Sequence, residues 1–252
     1  MTTDTRALYL DLLERCLLNT IYEDAAQDPW SAPTFDPMKR ANGLDWPSVA
    51  HTMIGRYRMA NIRQVVEQVL RDDVPGDLIE TGVWRGGACI YMRGILLAHE
   101  VTDRKVYVVD SFEGLPPPNP NMYPADKDDL HHTFQALAVS LEDVRRNFDK
   151  YGLLDDRVVF LKGWFKDVLP TAPIEQLAVL RLDGDMYEST MDGLVNLYHK
   201  LSVGGFIIID DFALPGCRQA VSDFRVMYDI QEQLYNIDNM GSYWRKEVEI
   251  SV

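Results

Sequence analysis

Four short apolar runs in this chain each end in an acid: Glu80, Asp110, Asp183 and Asp210, with Asp185 and Asp211 close by. Carboxylates gathered at one place are costly unless a cation or a set of donors compensates them. The segments Leu180-Arg181-Leu182-Asp183-Gly184-Asp185 and Asp210-Asp211 are the densest such group. If their strands are neighbours, Asp183, Asp210 and Asp211 form a set of hard oxygen ligands suited to Mg²⁺. A plainer reading competes. Asp185 would cap a helix with Glu188 as its box partner, and Asp211 would cap the helix that follows it.

A second chemical signal is the turn Glu80-Thr81-Gly82-Val83-Trp84-Arg85-Gly86-Gly87. Glycine there lets a ligand approach the backbone. The dinucleotide fingerprint fails, because Trp84 stands where its second glycine belongs. A cationic, phosphate-free cofactor fits better, and S-adenosylmethionine is one. Asp110 is then placed to take ribose hydroxyls, or it merely caps a turn. His51 lies near the expected crevice, with structural and ligand-contact roles both open. His131 and His132 are adjacent and read as a solvated pair. Arg56-Tyr57-Arg58 reads as a basic turn on a solvated face. The tail Tyr243-Trp244-Arg245-Lys246 is either a last edge strand or a contact between subunits.

The elements that must position these groups follow from periodicity. Strands are expected at Asp77–Glu80, Val106–Asp110, Val158–Leu161, Ala178–Asp183 and Gly205–Asp210, with helices Gly87–His99, Leu141–Tyr151 and Ser189–Leu201 between them. Apolar on both faces, such strands belong to a covered parallel sheet, and the alternation predicts a doubly wound α/β fold. In that fold ligands bind beyond the carboxyl ends of the strands, where the strand order reverses. Residues 1–75 differ. They read as a helical extension with apolar Leu8, Leu12, Leu13, Leu17 and Ile21 in one helix and Ile54, Ile62, Val65, Val66 and Val69 in another. Gln27–Pro47, rich in proline, reads as an irregular loop. Residues 76–252 form the α/β domain, and the Pro-rich stretch Glu113–His132, within a loop over 113–139, reads as a lid. Ser140 with Asp143 fits a capping box.

Composition narrows the function. The 252 residues carry 39 acids against 25 Lys and Arg, a formal charge of -14, which disfavours nucleic acid and anionic membrane surfaces. The opening MTTDTRALYLDLLER lacks the basic start of a signal peptide. Cys16, Cys89 and Cys217 are odd in number and far apart, so they read as free thiols in a reducing cytoplasm.

The stretches LYLDLLERCLLNTIYED, HTMIG, PGDLIETGVWRGGACI, VVDSFEGLP, RNFDKYGLLDDRVVFLKGWFKDVLP, LAVLRLDGDMYEST, LSVGGFIIIDDF and YWR together resemble the macrocin O-methyltransferase family, which methylates deoxysugars on antibiotics. The resemblance covers nearly the whole chain. Gln27–Trp46 and Pro116–His132 match least, and these segments are expected to touch the acceptor. The resemblance implies a Rossmann-like class I methyltransferase fold. It sets Glu80, Thr81 and Gly82 along the methionine part of S-adenosylmethionine, Asp110 on its ribose, Ser111 and Trp164 near the adenine, and Thr52 and Met53 over the cofactor. Ser140 and Arg181 are grouped with these cofactor contacts. Asp183, Asp210 and Asp211 become Mg²⁺ ligands, Asp185 the base, and His51 a further catalytic candidate. The implied reaction is methyl transfer to a sugar hydroxyl of a glycosylated natural product, a macrolide or similar antibiotic, by a cytoplasmic homo-oligomer. A catechol-type O-methyltransferase is the alternative.

Overall fold

The computed structural model describes residues 4–250. In chain order the elements are α1 (Thr5–Leu17), α2 (Pro37–Asn42), α3 (Gly55–Arg71), β1 (Asp77–Thr81), α4 (Gly87–Ala98), β2 (Val106–Asp110), α5 (Leu141–Lys150), β3 (Val158–Lys162), α6 (Phe165–Val168), β4 (Leu177–Leu182), α7 (Tyr187–Leu197), β5 (Leu201–Ile209), α8 (Pro215–Met227), β6 (Tyr235–Asn236) and β7 (Ser242–Arg245). The strands form one seven-stranded sheet in the order β3-β2-β1-β4-β5-β7-β6. The first five are parallel, and β7 and β6 close the sheet antiparallel. The order reverses between β1 and β4, so a crevice opens at their carboxyl ends.

Helices cover both faces, as the two-sided apolar strands require. On one face α1, α3, α4 and α5 pack around Leu13, Ile62, Val66, Ile90 and Phe148. On the other, α7 and α8 pack with Leu194, Phe224 and Trp244. The helix α3 shows why it folds there: Ile62, Val65, Val66 and Val69 recur at helical spacing and are fully buried. In α4 nearly every residue is buried, because α1 and α3 lie over it while it lies over the sheet. Among the described residues no helix is long and apolar enough to cross a membrane.

Four local expectations change. Gln27–Pro47 contains the helical turn α2, which Asp36 starts by accepting from the N–H groups of Met38 and Lys39 at 2.9 and 3.1 Å. The strand β5 begins at Leu201, since a register shift lets Leu201 pair with Leu177 before the main ladder. The tail is a strand, β7, but not an edge, because β6 pairs outside it and Trp244 is fully buried. Ser140 caps α5 by accepting from Asp143 N–H at 3.1 Å, but the return bond joins its hydroxyl to the Asp143 carboxylate at 2.8 Å.

Candidate active site

The strand ladder itself gathers the acids. Leu182 pairs with Ile209, and the backbone bonds continue one step further: Asp183 N–H donates to Thr81 at 2.9 Å and Asp210 N–H to Leu182 at 2.9 Å. Asp183, Asp210 and Asp211 each bring a carboxylate oxygen to within 4.8 Å of the others. The turn after β1 presses against this edge. A Cβ at Gly82, whose φ is +83°, would lie 1.7 Å from the Asp183 carbonyl oxygen, so only glycine fits.

Two buried arginines enter the cluster. Arg181, fully buried on β4, donates to Glu80, to Asp183 at 2.8 Å and to Asp210. Arg58 of α3 donates to the other oxygen of Asp210 and, at 3.1 Å, to Asp238. Glu80 also accepts from the Cys89 thiol at 2.8 Å. With Asp185 and Asp211 the group has six carboxylates and two guanidiniums. Excess negative charge in a buried place raises carboxyl pKa values. Burial and the neighbouring acids lift Asp211 well above the usual range, and burial lifts Asp185 and Glu80 to about 7. The donor set and the surplus of acid therefore fit a bound divalent cation.

The cluster faces a cavity of about 590 Å³, the size of a small-molecule site. Glu80, Gly82, Asp110, Ser111 and Trp164 lie on its wall with His51, Thr52 and Met53. Asp183, Asp185, Asp210 and Asp211 share that wall, so one opening serves the turn after β1 and the acids. Asp110 accepts from the N–H groups of Val83 and Phe112 at 2.8 and 2.7 Å, so it shapes two turns as well as lining the cavity. Thr81 is buried in β1. Ser140 caps α5 and does not line the cavity. Arg181 also stands behind the wall, where its guanidinium organises Glu80, Asp183 and Asp210. His51 is on the wall, but its Nδ1 lies 2.7 Å from the Tyr151 hydroxyl, and burial followed by Lys150 and Arg85 lowers its pKa to about 4. An imidazole so weakly basic is a poor match for a base at neutral pH.

The capping alternatives for Asp185 and Asp211 fail. No side chain of the 183–187 loop caps α7, and no side chain caps α8. The α7 N–H groups of Tyr187 and Glu188 instead donate to Asp126, from the 113–139 loop, at 2.6 and 3.1 Å. Asp185 itself holds a left-handed φ of +57°, with its N–H donating to Asp211 at 3.1 Å.

Three residues escaped the sequence reading. Arg58 is 5 % exposed and central, not solvated. Its signal was available, since Arg58 lies one helical step from Ile54 and from Ile62 on the buried stripe. Asp238 carried no signal, because it reaches Arg58 from a loop distant in sequence. His131 lines the cavity and pairs with Asp129, so the solvated reading of the histidine pair is also revised.

The model of one protein family, Macrocin-O-methyltransferase (TylF), matches residues 6–246. The chain is 55% identical over 250 residues, 97% of its length and 95% of the relative's, to a demethyldecarbamoylnovobiocin O-methyltransferase of Streptomyces niveus. It is 54% identical over 249 residues, 97% and 95% of the two lengths, to an 8-demethyl-8-(2,3-dimethoxy-alpha-L-rhamnosyl)-tetracenomycin-C 4'-O-methyltransferase of Streptomyces olivaceus. The solved O-methyltransferase NovP superposes with a TM-score of 0.92 at 55% identity, covering 96% of this chain and 100% of that one. With a doubly wound fold and an acid-lined cavity at its switch point, this chain belongs to the macrocin O-methyltransferase family and is an S-adenosylmethionine-dependent O-methyltransferase.

Proposed function

We propose that the enzyme methylates a sugar hydroxyl of a glycosylated natural product, with Mg²⁺ held by Asp183, Asp210 and Asp211. The observation that carries this reading is the acid surplus on the cavity wall beside the cofactor turn. The relative that acts on a rhamnosyl group supports the class of acceptor.

S-adenosylmethionine supplies an electrophilic methyl group. Glu80 and Gly82 would hold its methionine part, Asp110 its ribose, and Ser111 with Trp164 its adenine, while Thr52 and Met53 cover it. When bound, Mg²⁺ supplies positive charge that makes a nearby hydroxyl easier to deprotonate. Asp185, on the same wall, would then take the proton. Arg181 and Arg58 hold the Asp210 carboxylate from both of its oxygens. Trp30, Trp46 and the lid limit water at the cavity mouth. Alignment of the hydroxyl with the methyl provides much of the remaining acceleration.

The test is transfer of tritium from methyl-labelled S-adenosylmethionine to demethyldecarbamoylnovobiocin, 4-nitrophenyl α-L-rhamnoside and catechol. Label should enter a glycoside, stop with excess chelator and return with Mg²⁺. Labelling of catechol alone would overturn the acceptor class, and full turnover in chelator would overturn the metal.

A further inference from the structure

His131 lies on the lid, where nothing in the reaction described so far uses it. Its ring is half-buried and shares the cavity wall with Asp185. One carboxylate clamps it twice: Asp129 Oδ2 lies 2.8 Å from the ring Nδ1, and Asp129 Oδ1 accepts from the His131 backbone N–H at 2.9 Å. With Nδ1–H donated to Asp129, Nε2 is the ring nitrogen left to meet a ligand.

Asp129 is itself held in register with the catalytic loop. Its N–H donates to the Asp126 carbonyl at 3.1 Å. The Asp126 side chain, 3 % exposed, accepts the two N–H groups that begin α7. That helix starts just past Asp185, so one helix end sets the positions of both Asp185 and His131. Beside them stands an aromatic wall. Trp30, Trp46 and Phe134 meet edge to face, with centroids 4.8, 5.2 and 6.0 Å apart, and Phe134 lies 6.4 Å from the His131 ring. Aromatic faces next to a fixed polar nitrogen suit a sugar, which offers apolar C–H faces and hydroxyls at its edge.

We propose that His131 is a specificity-determining contact, its Nε2 bonding an acceptor-sugar hydroxyl other than the one methylated, with Asp129 as the positioning residue behind it. This rests on the sugar-methylation reading. It also explains why the lid is pinned to α7: a loop that reads one hydroxyl must be in register with the base that serves another.

The experiment is steady-state kinetics with a glycoside the parent turns over and with its monodeoxy analogues. For His131→Ala the acceptor KM should rise about ten- to a hundredfold, the scale of one lost polar contact. Turnover should stay within a few-fold, the pattern of binding lost equally from ground and transition states. His131→Gln, which keeps a polar group near Nε2, should recover part of the loss. Affinity for S-adenosylmethionine should not move. Asp129→Asn should show a smaller KM rise and none in the His131→Ala background. One monodeoxy analogue should be handled alike by parent and His131→Ala. An acceptor KM within about twofold of the parent's, or equal losses on every analogue, would overturn the contact. If the parent labels no glycoside, the sugar reading falls with the contact, and that is seen before any variant is made.

Discussion

Two buried clusters of arginine and acid lie in this molecule, and they are built on opposite principles. In the N-terminal segment Arg40, fully buried, reaches Asp45 through Nε and Nη2, Asp24 at 2.8 Å, and the carbonyls of Leu18 and Asp24 at 2.8 and 3.0 Å. Asp24 also accepts from the N–H groups of Val49 and Ala50 at 2.5 and 3.1 Å. Every strong group there has a partner, and none of the three residues lines the cavity. Burial would raise the Asp24 pKa, but the Val49 N–H and the Arg40 guanidinium outweigh it and bring it to about 2. At the strand ends the sign is reversed. The surplus of acid is larger there, six carboxylates to two arginines against two to one, all of the six but Asp238 line the cavity, and Asp185 and Asp211 are pushed upward. A matched cluster fixes a segment of chain. An acid-rich one facing a cavity is where the proposed cation would sit.

The sharpest way to break this contrast is one isosteric change made in each cluster. Asp185→Asn should lower kcat by roughly 10²–10⁴-fold, the scale of general-base catalysis, at little cost in melting temperature. Asp24→Asn should do the reverse, lowering the melting temperature with kcat within a few-fold. Turnover assays and thermal melts on both variants decide it, and similar behaviour in the two would end the distinction.

Next in size is Arg40→Met. It strands two acids in the interior, and a broken buried pair costs about 3–5 kcal/mol. Urea unfolding should read that loss with cofactor affinity preserved in the folded fraction. A loss below about 1 kcal/mol would mean that the cluster does not hold the segment.

Mg²⁺ sharpens the other side. At a hundred times its Kd it should stabilise the protein by about 2.7 kcal/mol, by mass action on the folded state. The melting shift should vanish in Asp211→Asn and persist in Asp24→Asn. An undiminished shift in Asp211→Asn would remove that residue from the cation site.

The smallest effect is on acid stability. The folded pKa of Asp24 is depressed from 3.8 to about 2, so its contribution is present above pH 3.8 and is lost as pH falls toward 2. The melting gap between parent and Asp24→Asn should be constant near neutrality and close between about pH 4 and pH 2. A gap that widens on acidification would contradict the assigned direction.

The acids of the site were legible because a parallel sheet turns sequence into place. Residues ending successive strands meet at one edge, so the sequence alone groups Glu80, Asp110, Asp183 and Asp210. The donors were not legible in the same way. Arg58 looked like part of a basic surface turn, although its spacing to Ile62 marked it as inward. Asp238 and Asp126 act across long separations, on Arg58 and on the start of α7, and no local pattern announces such partners. For the same reason the sequence leaves capping open as a competing reading of Asp185 and Asp211: the residue that caps α7, Asp126, comes from the distant 113–139 loop.

The residues alone therefore determined the alternation of strand and helix, the glycine turn after β1 and the acids at the strand ends, since each follows from short-range periodicity. Tertiary structure decided the strand order and which of those acids meet an arginine. Net charge at a buried point is a sum over neighbours brought in from anywhere in the chain, and Arg58, Arg181, Asp238 and the lid meet there only after folding.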